Sequence, residues 1–252
     1  MFGCVAGRSI AGIIVCLLAV VGSPAAARAQ WQVDVAAIDP AEPPRASPAV
    51  TEPFGLGAIP VMSGDLVAKW NGVAADIRAE RDTLARCRDD GERCPAPAQK
   101  FLAVIAEGRA HSGRARFGVV NRAINLAIRP TSDLAQWGVA DRWSGPLATF
   151  TTGRGDCEDY AIAKYVALLE AGVAEDDLRL VIVRDLAVGE DHAIVAARLD
   201  GAWITLDNRW LALVEDSDLR RSAPLFVLDG DGVKQFAPAI AAQPVIPATL
   251  PR

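Results

Sequence analysis

The stretch GDCEDYAIAKYVALLEAGV, residues 155–173, decides how this chain folds. After Cys157 the apolar residues recur at spacings of three and four, which predicts a helix over residues 157–171 that ends at Gly172. Three acidic residues surround the cysteine at the start of this helix. Acids oppose the ionisation of a thiol. Cys157 is therefore an inert residue in an acidic helix start, a metal ligand, or a nucleophile whose neighbouring acids have another role.

Strand-like runs follow this helix. Residues 178–183 form the first run, and residues 192–199 and 202–206 flank the pair Asp200-Gly201, which is a hairpin turn signal. A further hairpin is predicted over residues 226–236, around the sequence DGDG at 229–232. A helix followed by antiparallel strands indicates an α+β fold.

The hairpin turn also predicts a spatial relationship between His192 and Asp207. With Asp200-Gly201 as a two-residue turn, Asp207 lies opposite residue 194, two positions along the strand from His192. The two side chains then share one face of the sheet and lie diagonally opposite each other, within reach. A carboxylate in this position can orient the histidine ring and stabilise its imidazolium form.

Cys157 completes a candidate catalytic triad with these two residues. In the first turn of a helix the dipole and the unpaired N–H groups favour an anion, and a protonated histidine beside the thiol favours the thiolate. A simpler interpretation stays open, because a cysteine at a helix start is usually structural and an aspartate after a strand usually belongs to a turn. His111, the other histidine, lies in a polar run and is expected to be a solvated loop residue.

Upstream of the cysteine the chain is predicted to be helical. One helix covers residues 63–87 with Ser63 as its cap, and a second is opened by Pro97. A third runs near 117–128 and is stopped by Pro130. The segment after it, up to residue 150, is expected to be rich in loops.

Both ends of the chain differ from this core. Residues 1–29 combine one early arginine, an apolar run at 10–21 and the small-residue sequence ARA, which predicts a secretory signal peptide cleaved after Ala29. An uncleaved membrane anchor is the alternative. Residues 31–60 hold six prolines. We assign 30–53 to a poorly ordered leader, 54–237 to a folded domain and 238–252 to a flexible tail.

Charge and cysteine content narrow the function. Removal of residues 1–29 takes away two arginines and no acid, so the net charge changes from −5 to −7. An acidic chain without a basic run is a poor candidate for binding nucleic acid or anionic lipid, and no stable membrane insertion is expected after cleavage.

Cys87 and Cys94 flank a polar segment and can form a disulfide in an oxidising compartment, with two free thiols as the alternative. The pairing leaves Cys157 as an odd, free thiol.

Several segments together resemble a known family. RGDCEDYAIAKYVALLEAGV (154–173), LRLVIVRD (178–185) and DHAIVAARLDGAWITLDN (191–208), in this order, are similar to the bacterial transglutaminase-like cysteine proteinases of the LapG type. The upstream segment VNRAINLAIRPTSDLAQWG (120–138) is similar to the sequence that precedes the nucleophile in that family. The resemblance covers about residues 117–210.

The resemblance implies a fold and a set of catalytic roles. The fold is a papain-like α+β core of the transglutaminase type, in which N-terminal helices precede a nucleophile helix packed on an antiparallel sheet. Cys157 corresponds to the nucleophile, His192 to the general base and Asp207 to the acid that orients the histidine. The matching enzyme is a cysteine endopeptidase.

The resemblance further implies a calcium site, a substrate and a regulator. Family members need calcium held by acids that flank the cysteine, and the matching positions are Asp156, Glu158 and Asp159. They are periplasmic proteins that cleave a large cell-surface adhesin near its N-terminus and so release it. The periplasmic domain of an inner-membrane cyclic di-GMP receptor restrains them. We therefore expect a periplasmic protein with these two partners that controls attachment and biofilm formation.

Two rival functions use the same residues. A transglutaminase or amidase would carry the same triad and could pass the acyl group to an amine instead of water. A non-catalytic binding module would keep the fold without the reaction. Incorporation of a labelled amine would indicate the first, and an unchanged biological effect of Cys157→Ala would indicate the second.

Overall fold

The computed structural model describes residues 51–237. The predicted signal peptide, the C-terminal tail and all but the last residues of the predicted leader lie outside this range. The α-helices within it are α1 Asp65–Asp89, α2 Ala96–Arg109, α3 Gly113–Ala127, α4 Asp133–Trp137, α5 Pro146–Thr152 and α6 Cys157–Glu170. The strands are β1 Ala58–Pro60, β2 Arg129–Pro130, β3 Arg154–Gly155, β4 Leu178–Asp185, β5 Glu190–Leu199, β6 Ala202–Leu206, β7 Val214–Glu215, β8 Ser222–Asp229 and β9 Gly232–Phe236.

The architecture is a layer of helices on an antiparallel sheet, as the order of elements in the sequence predicts. Seven strands form the sheet in the order β1-β9-β8-β4-β5-β6-β7, and every neighbouring pair is antiparallel. Two very short strands, β2 and β3, pair in parallel and bring the end of α3 beside the start of α6. That pairing places the segment before the cysteine against the helical layer.

Helix α6 lies at the centre of the domain. Its residues from Glu158 to Leu168 are all buried, because one side packs on β4 and β5 and the other sides pack on α2, α3 and α5. An amphipathic surface helix would bury only one stripe. The burial explains why this stretch is apolar nearly all round, and it also encloses charged residues in the core, among them Lys164 and Asp159.

The opposite face of the sheet carries a smaller core. Val181, Ile194, Trp203 and Phe236 belong to it, and the segment before α1 covers part of it. Strand β1 lies within the proline-rich stretch and pairs with β9, although prolines there predict poor order. A proline is tolerated in this position because β1 is an edge strand.

The predicted hairpin register is confirmed. Asp200 and Gly201 both have positive φ, 51° and 86°, and the β5–β6 ladder pairs Leu199 with Ala202 at the turn. Positive φ at both central residues is the geometry of the two-residue turn that matches the twist of antiparallel strands. The DGDG turn between β8 and β9 is also confirmed.

The helical half departs from the prediction at its boundaries. Ser63 does not cap α1, because Gly64 occupies the cap position and no side chain there bonds the first turn. Helix α3 begins at Gly113, four residues before the predicted start, since its polar first turn lacks the apolar spacing that marks a helix. The segment expected to be loops contains α4 and α5. His111 is half-buried at the α2–α3 turn, where its Nδ1 lies 2.9 Å from the Glu107 carbonyl.

The predicted pairing of Cys87 and Cys94 is confirmed as a disulfide that joins the end of α1 to the start of the next segment. Cys157 is the free cysteine of the described residues. In the same part of the chain, none of the helices has the length and apolar character needed to cross a membrane.

Candidate active site

Cys157 is the first residue of α6, and Asp156 is its N-cap. The thiol donates a hydrogen bond to Oε2 of Glu158 at 3.3 Å. Burial raises the pKa of the Cys157 thiol, and the Glu158 and Asp156 carboxylates raise it further, whereas the N–H of Ala193 opposes them. In this arrangement the thiol is the favoured form. The helix start alone does not produce the thiolate that the sequence predicts.

His192 lies near the start of β5 and Asp207 directly follows β6, and the two side chains are in contact. His192 Nε2 is 2.9 Å from Asp207 Oδ1, at the diagonal position that the hairpin register predicts. His192 is 4% exposed. Its Nδ1 is buried and has no hydrogen-bond partner among residues 51–237. The ring therefore has one nitrogen held by a carboxylate and one nitrogen without a partner in this part of the chain.

The carboxylate of Asp207 is held ionised. Burial raises its pKa, but the hydrogen bond and charge of His192, the N–H of Arg209 and the charge of Lys164 outweigh the burial and lower it below the usual value. The Arg209 N–H donates to Asp207 Oδ1 at 2.8 Å. An ionised acceptor favours the histidine tautomer with its proton on Nε2.

One cleft joins the cysteine to the histidine. It has a volume of about 440 Å³ and its wall includes Cys157, His192, Ala193 and Trp143. Within the described residues the thiol makes no hydrogen bond to His192, since it is turned toward Glu158. A second cleft of about 500 Å³ also has His192 on its wall, together with Asp207 and Arg209.

The acids around Cys157 belong to two overlapping clusters. Asp133, Asp156 and Asp159 offer carboxylate oxygens that lie within 4.8 Å of one another, and Asp133, Asp141 and Glu158 do the same. The sequence predicts Asp156, Glu158 and Asp159 as one set of metal ligands. The structure divides this set between the clusters and adds Asp133, which belongs to both.

Asp133 and Asp141 are the two cluster acids that the sequence does not predict as metal ligands. Asp133 begins α4, and its N–H donates to Asp156 Oδ2 at 3.2 Å. Both residues lie in the segment TSDLAQWGVAD (131–141), where they flank Trp137 and where the sequence shows no helix or strand periodicity. Acidic residues in an irregular segment upstream of Cys157 were the available signal.

The clustered carboxylates are only partly compensated by positive charge. Lys69 forms an ion pair with Asp141, and the charge of Arg142 opposes the rise that burial causes in the pKa of Asp133. Burial raises the pKa of Glu158 and that of Asp159, the latter to about 7, and Asp156 raises both further. Backbone N–H groups of Ser144 and Arg142 stabilise Asp159 and Asp133 but carry no full charge. Asp156 Oδ1 is buried without a hydrogen-bond partner in the described part of the chain. Such a set of hard oxygen donors fits a calcium ion.

Gly155 shows how closely the loop before the cysteine approaches this cluster. A Cβ atom at this position would lie 2.7 Å from the Cβ of Asp159 and 2.5 Å from its Oδ2. Only glycine leaves room for the carboxylate there. Within the stretch GDCED, the side chain of Asp159 therefore packs against the backbone of Gly155.

Comparison with known proteins identifies the family. The family model described as "bacterial transglutaminase-like cysteine proteinase BTLCP" matches residues 84–218, more than half of the chain. The chain belongs to this family. The protein is therefore a transglutaminase-like cysteine protease. Cys157, His192 and Asp207 and all five acids of the two clusters lie within the matched span.

Solved structures show the same fold. Legionella pneumophila LapG has a TM-score of 0.51 at 20% identity, over 62% of this chain and 86% of that chain. Its calcium-bound form has a TM-score of 0.52 at 20% identity, over 60% and 87%, and its EGTA-treated form 0.51 at 19%, over 63% and 89%. Among curated proteins no significant match is found. At these identities the likeness supports the fold of the protease.

Proposed function

We propose that the protein is a periplasmic, calcium-dependent cysteine endopeptidase with Cys157, His192 and Asp207 as its triad. The observation that carries the proposal is the position of His192, which lines the cleft that contains Cys157, has Asp207 on Nε2 and has a buried Nδ1 without a partner among residues 51–237. A nucleophile and a base on the wall of one cleft, with an acid bonded to the base, are the parts that acyl transfer through a thioester needs.

The first half of the reaction acylates the cysteine. Nδ1 of His192 takes the thiol proton as Cys157 Sγ attacks a peptide carbonyl, and the same proton passes to the leaving amine when the C–N bond breaks. Asp207 keeps the ring oriented and stabilises its charged form. The N–H of Cys157 lies at the helix start, where it has no intrahelical acceptor, and can bind the oxyanion. Before attack, the thiol must turn from Glu158 toward His192.

The second half regenerates the enzyme. Nδ1 of His192 removes a proton from a water molecule, which attacks the thioester carbonyl, and the proton is then returned to the Cys157 sulfur as the C–S bond breaks. The products are a peptide with a new C-terminal carboxylate and the free enzyme. An amine in place of water would give the transglutaminase outcome.

Calcium is proposed at the acidic clusters. Asp133, Asp156 and Asp159 would hold the ion, with Asp141 and Glu158 in reach on the neighbouring side. The bound ion supplies positive charge that compensates these acids and favours the Cys157 thiolate. The residues themselves join the start of α4 to the start of α6, so occupancy would fix the loop that carries the nucleophile.

The cell biology of the proposal rests on the family resemblance and on two features of the chain. The disulfide supports an oxidising compartment, and the predicted signal peptide, residues 1–29, supports export. We propose that the substrate is a large cell-surface adhesin cut near its N-terminus. We further propose that the periplasmic domain of a cyclic di-GMP receptor restrains the protease, so that cleavage ends attachment.

Cleavage of candidate surface proteins tests the proposed function. Purified protein and Cys157→Ala are incubated with each candidate, with calcium and with chelator, and the new N-terminus is sequenced. We expect one cut near the N-terminus of an adhesin, only with wild-type enzyme and calcium. Stable incorporation of a labelled amine without hydrolysis would overturn the peptidase assignment. Equal effects of wild type and Cys157→Ala would overturn catalysis altogether.

A further inference from the structure

Asp207 needs support that the sheet does not give. The β5–β6 ladder ends with the pair Val195 and Leu206, one residue before Asp207. The β6–β7 ladder ends earlier, at Thr205. The main chain from 207 to 213 therefore runs as a loop, and a carboxylate on an unanchored loop would be poorly aligned with His192.

Two asparagines on α3 hold this loop. Asn125 Nδ2 donates to the carbonyl of Asp207 at 3.0 Å and to that of Trp210 at 3.1 Å. Asn121 Nδ2 donates to the carbonyls of Trp210 and Leu211 at 3.0 and 3.3 Å. The asparagines are four residues apart, so they lie on one face of the helix. Both belong to the segment VNRAIN that the proposed triad leaves without a role.

Both asparagines use only the N–H groups of their amides, and their oxygen atoms have no partner in the part of the chain that the structure describes. Asn121 is fully buried, and the Oδ1 atoms of both residues are buried without a partner among residues 51–237. Leaving a buried acceptor unpaired is unfavourable, so apolar packing does not explain amides at these positions. Each amide group instead has its two N–H bonds directed at two loop carbonyls.

We infer that Asn125, supported by Asn121, is a positioning residue that sets the Asp207 carboxylate against His192. The inference rests on the proposed triad. Asn125 acts on the residue itself, through the Asp207 carbonyl, while Asn121 fixes the loop three and four residues further on. The pair thus transmits the position of α3, a rigid element, to the orienting acid of the active site.

Asn125→Ala tests the inference in a peptide-cleavage assay. We expect kcat to fall about 10- to 100-fold with KM changed less than about two-fold, because a misplaced group slows the chemical step rather than binding. Arg114→Met is the matched control, since Arg114 Nη2 donates to Leu213 O at 2.9 Å, from the same helix to the far end of the same loop. It should keep the wild-type kcat.

Imidazole nitrogen NMR separates positioning from stability. The chain has two histidines, so the His192 signals are assignable and His111 is an internal reference. In Asn125→Ala the His192 signals should move from a fixed Nε2–H tautomer toward a mixture. A milder variant, Asn125→Ser, keeps the test open if the alanine variant does not fold, and it should show an intermediate shift.

The outcomes distinguish the inference from the proposed function. If Asp207→Asn abolishes cleavage while Asn125→Ala leaves kcat and the His192 signals unchanged, the positioning role is wrong and the triad stands. Equal losses in Asn125→Ala and Arg114→Met would also overturn it, in favour of loop stability alone. If Asp207→Asn cleaves normally, the triad itself is wrong.

Discussion

His192 Nε2 lies 2.9 Å from Oδ1 of Asp207, and the other ring nitrogen of His192 is buried without a partner in the described part of the chain. A ring held at one nitrogen and free at the other has a defined tautomer and a defined direction. Cys157 is on the wall of the same cleft, although its thiol points to Glu158. In this structure His192 and Asp207 are therefore in contact, whereas the Cys157 thiol is not directed at His192.

Asp207→Asn should keep the fold and lose most of the activity. An asparagine retains the size of the side chain but presents no charge, and its amide can force the wrong tautomer on His192. We expect kcat to fall by about 10²-fold or more, with a melting temperature close to that of the wild type. Asp76→Asn, the same change at an exposed position on α1, is a matched control. Comparable losses in both variants would contradict a specific role for Asp207.

Calcium should stabilise the protein through Asp133. Because Asp133 belongs to both acidic clusters, Asp133→Asn should abolish most of the rise in melting temperature that calcium produces. For the wild type the rise corresponds to roughly 3 kcal/mol at a calcium concentration ~100-fold above the dissociation constant. Burial raises the pKa of Asp133, which means that its charged form is unfavourable in the folded protein. Asp133→Asn removes this charge and should therefore also stabilise the protein in chelator.

Differential scanning fluorimetry in calcium, magnesium and chelator measures both effects. Asp76→Asn, on the exposed face of α1, is the control and should respond to calcium like the wild type. An undiminished calcium response of Asp133→Asn would show that the ion binds elsewhere. Cleavage assays in the same buffers should lose activity in parallel with the thermal shift.

Replacing Lys164 should stabilise the protein at neutral and acid pH. Burial lowers the pKa of this lysine to about 7, although Asp207 favours its charged form, and Nζ has no hydrogen-bond partner among the described residues. Between pH 7 and the pKa of a free lysine the unfolded chain binds the extra proton, so wild-type stability rises with pH there. Below about pH 7 both states are charged and the full penalty remains.

Lys164→Met should therefore raise the free energy of unfolding by a few kcal/mol at and below pH 7, with the gain fading toward pH 10. Urea unfolding at a series of pH values measures this. Lys100→Met, on the exposed side of α2, should show no such pH dependence. A constant difference between Lys164→Met and wild type across the series would argue against a buried titrating ammonium.

Loss of the disulfide should destabilise the domain modestly. Cys87 and Cys94 are only seven positions apart in the sequence, so the disulfide closes a short loop. The entropy of loop closure predicts that it stabilises the folded state by about 2–3 kcal/mol. The double variant Cys87→Ser/Cys94→Ser, made in a Cys157→Ser background, excludes thiol exchange. Reductant should lower the stability of the parent by the same amount and leave the double variant unchanged. A difference near zero would mean that the short loop is already ordered in the unfolded chain.

Much of the candidate site could be predicted from local features of the sequence. The bounds of α6 follow from its apolar spacing, its acidic first turn and Gly172, all within one segment. The contact of His192 with Asp207 follows from the turn at Asp200-Gly201, because a two-residue turn sets the register of both strands. Neither inference needs information about distant residues.

Long-range packing decided the rest. Asp133 and Asp141 meet the acids beside Cys157 only because β2 and β3 pair and bring the α4 segment to the start of α6. No period or turn in the sequence encodes that approach.

By itself, then, the sequence determined the helix start, the hairpin register and the family, and it left the Cys87–Cys94 disulfide as one of two alternatives. The tertiary structure decided which acids cluster, which way the Cys157 thiol points and which asparagines hold Asp207. The physical reason is that periodicity and turn chemistry act over a few residues, whereas burial and charge compensation depend on which elements pack together.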